Sequence, residues 1–339
     1  MDGIETSNAS RQGAGAAISS YAGACPGQIG GTKQPAAGPA DPLPILPASS
    51  ILLSSMKKAL AHSTTSPVLL AEGDIRAFRD TVYGVARANH RVLPWRTAFD
   101  PYAVLVSEIM LQQTQADRVS PKFVDFMARF PDVAALASAE FADVLAVWQG
   151  LGYNRRALAL KRAAEAAMVS FGGMIPATRS ELESLPGIGP YTAGAILAFA
   201  HDLPEVFIET NIRSVFIHHF FHDRSGIHDR DLTPLVALTL DRSQPRAWYT
   251  ALMDYGVVLK RAHPNPSRKS VHHLRQSPFE GSNRQLRSTL LKMVLAQPGL
   301  STDDAAGLVA GDREKVAANL VQMEKEGLIV CREGKYFVA

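Results

Sequence analysis

Residues 182–200, "LESLPGIGPYTAGAILAFA", carry the strongest structural signal in this chain. The two ends of the stretch, 182–185 and 193–200, have the apolar pattern of helices. Between them stand residues that are hostile to a helix interior: Pro186, Gly187, Gly189 and Pro190. Two helices joined by so short a turn predict a helical hairpin.

The turn of this hairpin suits contact with another surface. Gly187 and Gly189 lack side chains, so their backbone can approach a partner closely, and Pro190 fits the first turn of the next helix. The first N–H groups of that helix have no internal partner and carry partial positive charge, which makes phosphate a natural ligand. The pattern therefore indicates a sequence-independent clamp on a nucleic-acid backbone. An ordinary helical hairpin with a Gly-rich turn is the alternative.

Composition narrows the class of protein. The chain has 339 residues, 46% of them hydrophobic, and a net charge of +3, which alone does not imply nucleic acid. No apolar run approaches a membrane span and no secretory signal is evident. Cys25 and Cys331 are the only cysteines, which excludes a disulfide framework and a four-cysteine cluster. We expect a cytoplasmic protein without a membrane partner.

Four segments follow from the composition and the hydrophobic periodicity. Residues 1–72 are rich in Ala, Gly, Ser and Pro and predict a disordered tail. Residues 73–275 read as successive helices, and residues 276–282 as a linker. Residues 283–339 predict three helices and two strands, in the order of a winged helix: 286–296, 302–309, 312–326, "LIVCRE" and "KYFVA". The expected fold class is mainly α.

A second informative stretch is 101–119, "PYAVLVSEIMLQQTQADRV". Glu108, Gln112 and Gln115 fall at i, i+4 and i+7, on one polar face of a predicted helix. The amides can bond base edges or fill the gap left by an extruded base, and the carboxylic acid can protonate a leaving group. A solvated helix face is the alternative, although "LQQTQ" has no charged residue.

The third stretch is 204–221, "PEVFIETNIRSVFIHHFF". Thr210 or Asn211 can cap the helix that follows, which places Glu209 at a helix N-terminus, where the dipole favours its ionised form. A plain capping carboxylate is the alternative. If Glu209 and Glu108 share a cleft, they form the acid and the ionised partner that cleavage of a glycosidic bond requires.

Three linked stretches resemble the helix-hairpin-helix (HhH-GPD) DNA glycosylases, and most of all the A/G-specific adenine glycosylases (MutY type). They are "LPWRTAFDPYAVLVSEIMLQQTQADRVSPKFVDFMARFP", "VWQGLGYNRRALAL" and "LPGIGPYTAGAILAFA". The similarity runs from about Arg91 to Val258. It implies two α-helical subdomains around a DNA-filled cleft. It also implies an enzyme that flips adenine out of a mispair with guanine or 8-oxoguanine and hydrolyses its N-glycosidic bond.

The resemblance assigns roles residue by residue. Glu108 matches the general acid, which protonates adenine and activates the water. Glu209 stands where the family has an aspartate that stabilises the oxocarbenium-like sugar. Gln112 and Gln113 match the stretch that reaches into the helix beside the lesion, and Tyr153 matches a tyrosine that wedges between bases.

The hairpin residues complete the expected DNA contacts. Gly187, Ile188 and Gly189 match the phosphate-binding turn. Tyr191 stands where bifunctional relatives carry a Schiff-base lysine, so the resemblance implies a monofunctional enzyme without β-lyase chemistry. The implied partner is double-stranded DNA with a mispair, bound by a monomer.

The chain departs from the family after residue 256. Members usually hold an iron–sulfur cluster through four cysteines there, whereas "VVLKRAHPNPSRKSVHH" has none, so we expect no cofactor. The basic residues of this segment are expected to supply phosphate contacts instead: Lys260, Arg261, Arg268 and Lys269. Zinc held by His263, His272 and His273 is a weaker alternative. The predicted winged helix replaces the domain that reads 8-oxoguanine.

Two other functions remain open at this point. The same scaffold can serve a glycosylase for thymine or uracil opposite guanine, although Glu108 favours a purine leaving group. A non-catalytic DNA-binding module is the other possibility, and the presence of both carboxylates, Glu108 and Glu209, argues against it.

Overall fold

A computed structural model describes residues 70–97, 99–275, 278–309 and 311–339. Nearly all of the predicted tail, 1–72, lies outside the described residues, so its disorder stays a prediction. No helix among the described residues has the length and apolar character needed to cross a bilayer.

The successive helices predicted for 73–275 run from Glu72 to Ala262, and a short 3-10 turn, Pro266–Lys269, follows them. They are α1 (Glu72–Ala88), α2 (Pro101–Leu111), α3 (Ala116–Arg129), α4 (Val133–Ser138), α5 (Phe141–Trp148), α6 (Arg155–Phe171), α7 (Arg179–Ser184), α8 (Pro190–His201), α9 (Thr210–Phe220), α10 (Asp229–Thr239) and α11 (Pro245–Ala262). The predicted hairpin is therefore α7, a short turn and α8.

The C-terminal unit, residues 283–339, combines helices with a small sheet. Its elements are α12 (Asn283–Ala296), β1 (Leu300–Ser301), α13 (Thr302–Val309), α14 (Arg313–Lys325), β2 (Ile329–Arg332) and β3 (Lys335–Val338). The sheet is antiparallel in the order β1–β3–β2. Strand β1 is absent from the sequence prediction because two residues carry no alternating pattern. The assignment to the winged-helix class stays a prediction.

Local capping sets where several helices begin and end. Asp100 accepts a hydrogen bond from the Ala103 N–H at 2.8 Å, and Pro101 occupies the first turn of α2. Asp132 caps α4 in the same way. Helix α6 ends at Phe171, and its C-cap, Gly172, has a φ of 61°, in the left-handed region. Asp100, Asp132 and Gly172 are residue types that favour these helix boundaries.

Two hydrophobic clusters organise the helices. The first cluster comprises buried residues of α2–α8 and of the C-terminal unit. The second cluster comprises buried residues of α1 and α8–α11. Helix α8 belongs to both, because Ala193 and Ile196 pack in the first and Ala195 and Ala198 in the second. The prediction of two helical subdomains is confirmed.

The C-terminal unit packs directly on the helices of the first cluster. Leu290, Leu320 and Ile329 are buried there together with residues of α5 and α6. The fit is close at Gly327, where an added Cβ would lie 2.8 Å from Nη2 of Arg162 on α6. The boundaries predicted for this unit therefore separate segments that share a hydrophobic core.

Candidate active site

A cleft of about 890 Å³ is walled by helices of both clusters. Glu108, near the end of α2, lines the wall of the first cluster. Glu209, at the start of α9, lines the wall of the second. Tyr191, on the first turn of α8, lies in the same cleft. The structure thus places in one cleft the two carboxylates whose pairing the sequence indicated only from their chemistry.

Glu108 is a buried carboxyl group with one strong partner. Its side chain is 6% exposed, and the Tyr191 hydroxyl donates to Oε2 at 2.7 Å. Burial raises the pKa of Glu108 to about 7; the Tyr191 hydrogen bond opposes the shift and the charge of Glu209 adds to it. Near neutral pH this group can hold a proton and release it.

Glu209 itself is the N-cap of α9, where the sequence predicted Thr210 or Asn211. Its Oε1 accepts hydrogen bonds from the backbone N–H groups of Ile212, at 2.8 Å, and of Asn211. Burial raises the pKa of Glu209, while the charge of Lys260 and the two backbone donors oppose that rise. A carboxylate with two N–H donors and an ammonium group facing it is well suited to carry negative charge.

Lys260 lies inside the cleft rather than in the loop after α11. Its Nζ donates to Oδ1 of Asn211 at 2.8 Å, and Nδ2 of Asn211 is 3.3 Å from Oε2 of Glu209. Gly256 lets α11 approach, since an added Cβ would lie 2.5 Å from Cβ of Asn211. The structure therefore places the Lys260 amine beside the carboxylate site, and Arg261 lines the same cleft.

The glutamines after Glu108 stand on a turn, so the prediction of one continuous polar helix face is wrong. Helix α2 ends at Leu111, and Gln115 is the N-cap of α3. Gln112 and Gln113 both line the cleft. Gln113 has a φ of 56°, a left-handed conformation that is uncommon for a residue with a side chain.

Tyr153 lies on the turn between α5 and α6, outside the cleft lining. It is 37% exposed and has a φ of 50°. Its hydroxyl accepts a hydrogen bond from Nη1 of Arg284 in the C-terminal unit, at 3.0 Å. The ring lies beside the guanidinium of Arg156, with 5.4 Å from Cζ to the ring centroid.

The predicted phosphate hairpin has one residue that serves the fold and one that is open. Gly187 has a φ of 80°, and an added Cβ would lie 2.7 Å from Cβ of Ala159 on α6. Its lack of a side chain is thus required inside the protein, where the sequence interpretation invoked only an outside partner. Ile188 is buried in the first cluster. An added Cβ at Gly189, the N-cap of α8, meets nothing within 4 Å.

A buried ion-pair cluster beside the cleft escaped the sequence interpretation. Asp254 on α11 is 1% exposed and accepts hydrogen bonds from Nε of Arg91, at 2.7 Å, and Nη1 of Arg96, at 2.9 Å. Burial alone would raise the pKa of Asp254, but the two arginines hold it below its usual value. Both arginines and Trp95 line the cleft. An isolated aspartate within the apolar pattern of α11 was the available signal.

The residues after α11 do not fit an iron–sulfur cluster. Such a cluster needs thiolate ligands, and the segment forms a short turn instead, Pro266–Lys269. The side chain of Asn265 accepts from the Ser267 N–H at 3.0 Å, and Nζ of Lys269 donates to the His222 carbonyl. No group of three or more His, Cys, Asp or Glu residues among the described positions is arranged to hold a metal ion.

The chain is similar to base excision DNA repair proteins. Residues 106–242 match the model of the "HhH-GPD superfamily base excision DNA repair protein" family. The adenine DNA glycosylase of Mycobacterium tuberculosis is 33% identical over 229 residues, 61% of this chain and 75% of that protein. The adenine DNA glycosylase of Buchnera aphidicola subsp. Baizongia pistaciae is 34% identical over 175 residues, 50% of this chain and 49% of that protein. The thymine/uracil-DNA glycosylase of Pyrobaculum aerophilum is 38% identical over 141 residues, 41% of this chain and 61% of that protein.

Proposed function

Because the chain belongs to the HhH-GPD superfamily of base excision DNA repair proteins, we propose that it is a monofunctional adenine DNA glycosylase. It hydrolyses the N-glycosidic bond of adenine mispaired with guanine or 8-oxoguanine in duplex DNA, acting as a monomer at the nucleoid. The observation that carries this proposal is the pair of carboxylates, Glu108 and Glu209, that line one cleft.

The two carboxyl groups divide the chemistry. Glu108 donates its proton to a ring nitrogen of the flipped base, so that the base leaves as a neutral molecule when the C–N bond breaks. The ionised Glu209 stabilises the positive charge that develops on the sugar. Water then adds to the sugar carbon and gives its proton to Glu108. Tyr191 holds the Glu108 carboxyl group in place through the 2.7 Å hydrogen bond.

The small number of cysteines supports a protein that works without the family's iron–sulfur cluster. The whole chain has two cysteines, and Cys331 lies on strand β2 of the C-terminal unit. In place of a cluster, the buried side chains of Pro266 and Ser267 and the backbone pairing of Ile227 with Ser270 anchor the segment after α11.

A panel of duplexes tests the substrate. We expect strand breaks at adenine opposite guanine and opposite 8-oxoguanine after alkali, and no breaks without alkali. Matched duplexes should stay intact. Thymine or uracil opposite guanine is the second candidate, favoured by the identity with the Pyrobaculum aerophilum protein. Excision confined to those bases would overturn the proposed substrate.

The hairpin can be tested by one glycine variant with two control variants. Gly189→Ala adds a methyl group to open space at the N-cap of α8. It should change stability by less than about 1 kcal/mol. It should nevertheless weaken DNA binding about tenfold or more, because hydrogen bonds from the backbone to a phosphate are worth about 1.5–3 kcal/mol each. Fluorescence anisotropy with a labelled duplex measures this affinity.

The two other glycine variants serve as controls. Gly187→Ala forces a left-handed alanine against Ala159 and should destabilise the fold by about 2 kcal/mol. Gly84→Ala, on α1, also adds a methyl group to open space and should leave DNA affinity unchanged. Equal DNA affinities for Gly189→Ala and Gly84→Ala would show that the hairpin does not bind a phosphate.

A further inference from the structure

Arg156, on the first turn of α6, caps the end of the helix that carries Glu108. Its Nη1 donates to the carbonyl oxygens of Ile109 and Met110, both at 2.9 Å, and to that of Gln112. The last carbonyl groups of a helix have no partner within it, so a cation there satisfies them and complements the helix dipole. Arg156 therefore sets where α2 stops, one turn beyond Glu108.

The second nitrogen of the same guanidinium reaches the neighbouring turn. Nη2 donates to Oγ1 of Thr114 at 3.1 Å and to the carbonyl oxygens of Leu151, at 3.3 Å, and Gly152, at 3.1 Å. Oγ1 of Thr114 also lies 3.5 Å from the Leu151 carbonyl oxygen. The turn at 112–114 and the turn at 150–153 are thus joined by one planar side chain and one hydroxyl group.

Burying the guanidinium of Arg156 costs free energy. Among the described residues no carboxylate pairs with Arg156, and its Nε is buried without a hydrogen-bond partner. Burial lowers the pKa of Arg156 to about 10, so the group stays charged at neutral pH. A buried charge is destabilising unless it is fully bonded. A planar fork with fixed donors offers a precise geometry in return, which a lysine cannot match.

Both joined turns carry a left-handed residue that has a side chain. Gln113 has a φ of 56° and Tyr153 a φ of 50°. Such conformations cost free energy and persist where the surrounding structure enforces them, which is frequent at functional sites. Arg156 contacts both turns, and its guanidinium also faces the rings of Tyr153 and Trp148.

We propose that Arg156 is a positioning residue that fixes the turns 112–114 and 150–153 as a single unit. In this arrangement Gln113 and Tyr153 engage the DNA duplex together, and the last turn of α2 holds Glu108 at the reacting bond. The role in catalysis rests on the proposed glycosylase function, whereas the coupling of the two turns does not.

Arg156→Lys keeps the charge and removes the fork. Thr114→Val removes the bridging hydroxyl, which is one of several acceptors of the guanidinium, and leaves the arginine in place. Arg129→Gln, in an exposed ion pair with Asp143, is the control. In single-turnover excision we expect Arg156→Lys to lower the rate constant about 10- to 100-fold at full amplitude. Its affinity for a mispaired duplex should fall more than its affinity for a matched one. Thr114→Val should shift both quantities in the same direction by a smaller factor.

Hydrogen exchange of the backbone amides reports the coupling without any activity. Both variants should speed exchange in 112–114 and 150–153 together, and Arg129→Gln in neither. Faster exchange in one turn alone overturns the proposal. A fall in the amplitude of excision at an unchanged rate constant marks misfolding and overturns it as well. If Arg156→Lys does not fold, Thr114→Val decides by the same criteria. A wild-type protein that excises no base would refute the proposed function, while exchange would still judge the coupling.

Discussion

Glu108→Gln is expected to reduce base excision to the limit of detection while leaving affinity for a mispaired duplex nearly unchanged. The amide has the shape of the acid and can still accept the hydrogen bond from Tyr191, so the cleft should keep its form. It cannot deliver a proton to the leaving base, and general acid catalysis contributes about 10²- to 10⁴-fold. Single-turnover assays measure the loss, and anisotropy with the same duplex measures binding.

The pH dependence of the wild-type enzyme gives a second readout of this residue. A general acid must be protonated, and burial raises the pKa of Glu108 to about 7. The rate constant should therefore be highest below neutrality and fall about tenfold per pH unit above 7. The residual rate of Glu108→Gln should lack this step. A wild-type rate that climbs steadily from pH 7 to pH 9 would mean that Glu108 acts only as a base.

Glu209→Gln is expected to slow excision by about 10²- to 10³-fold, the usual cost of removing one group that stabilises transition-state charge. Glutamine can still accept the backbone hydrogen bonds at the start of α9, so the melting temperature should change little. Glu209→Asp is a sharper probe. The glutamate reaches Ile212, Asn211 and the neighbourhood of Lys260 at once, so we expect a shorter carboxylate to lose about tenfold or more.

A matched variant separates catalysis from capping. Asp132→Asn neutralises another N-cap carboxylate, that of α4, which lies outside the cleft lining. It should leave the excision rate constant unchanged. If Glu209→Gln behaved like Asp132→Asn, Glu209 would be a capping residue alone. A faster Glu209→Asp would show that the glutamate is a compromise in a site shaped for aspartate.

Features that depend on neighbours in the sequence could be predicted. The helical hairpin follows from a local run of Pro and Gly, with Pro190 suited to the first turn of the second helix. Glu108 follows from a carboxylate followed by amides on a predicted helix, and Glu209 from a carboxylate placed just before the capping residues of the next helix. The absence of cluster ligands follows from a count of cysteines.

Features that depend on residues far apart in the sequence could not be predicted from local patterns. Asp254 meets Arg91 across 163 positions of sequence, and Tyr191 meets Glu108 across 83. Helical periodicity predicts that α2 runs on through the glutamines. It contains no information on Arg156, which binds the carbonyl groups at the end of the helix. In each case a tertiary contact overrides what the local pattern permits.

Helix α8 has a consequence for how the protein unfolds. Its opposite faces are interior surface for the two hydrophobic clusters, through Ile196 on one side and Ala198 on the other. Neither cluster can lose its packing without exposing one face of α8, a helix whose other face is packed in the other cluster. The walls that carry Glu108 and Glu209 therefore belong to one cooperative unit. A destabilising change deep in either half lowers the population of molecules in which both carboxylates face the same space.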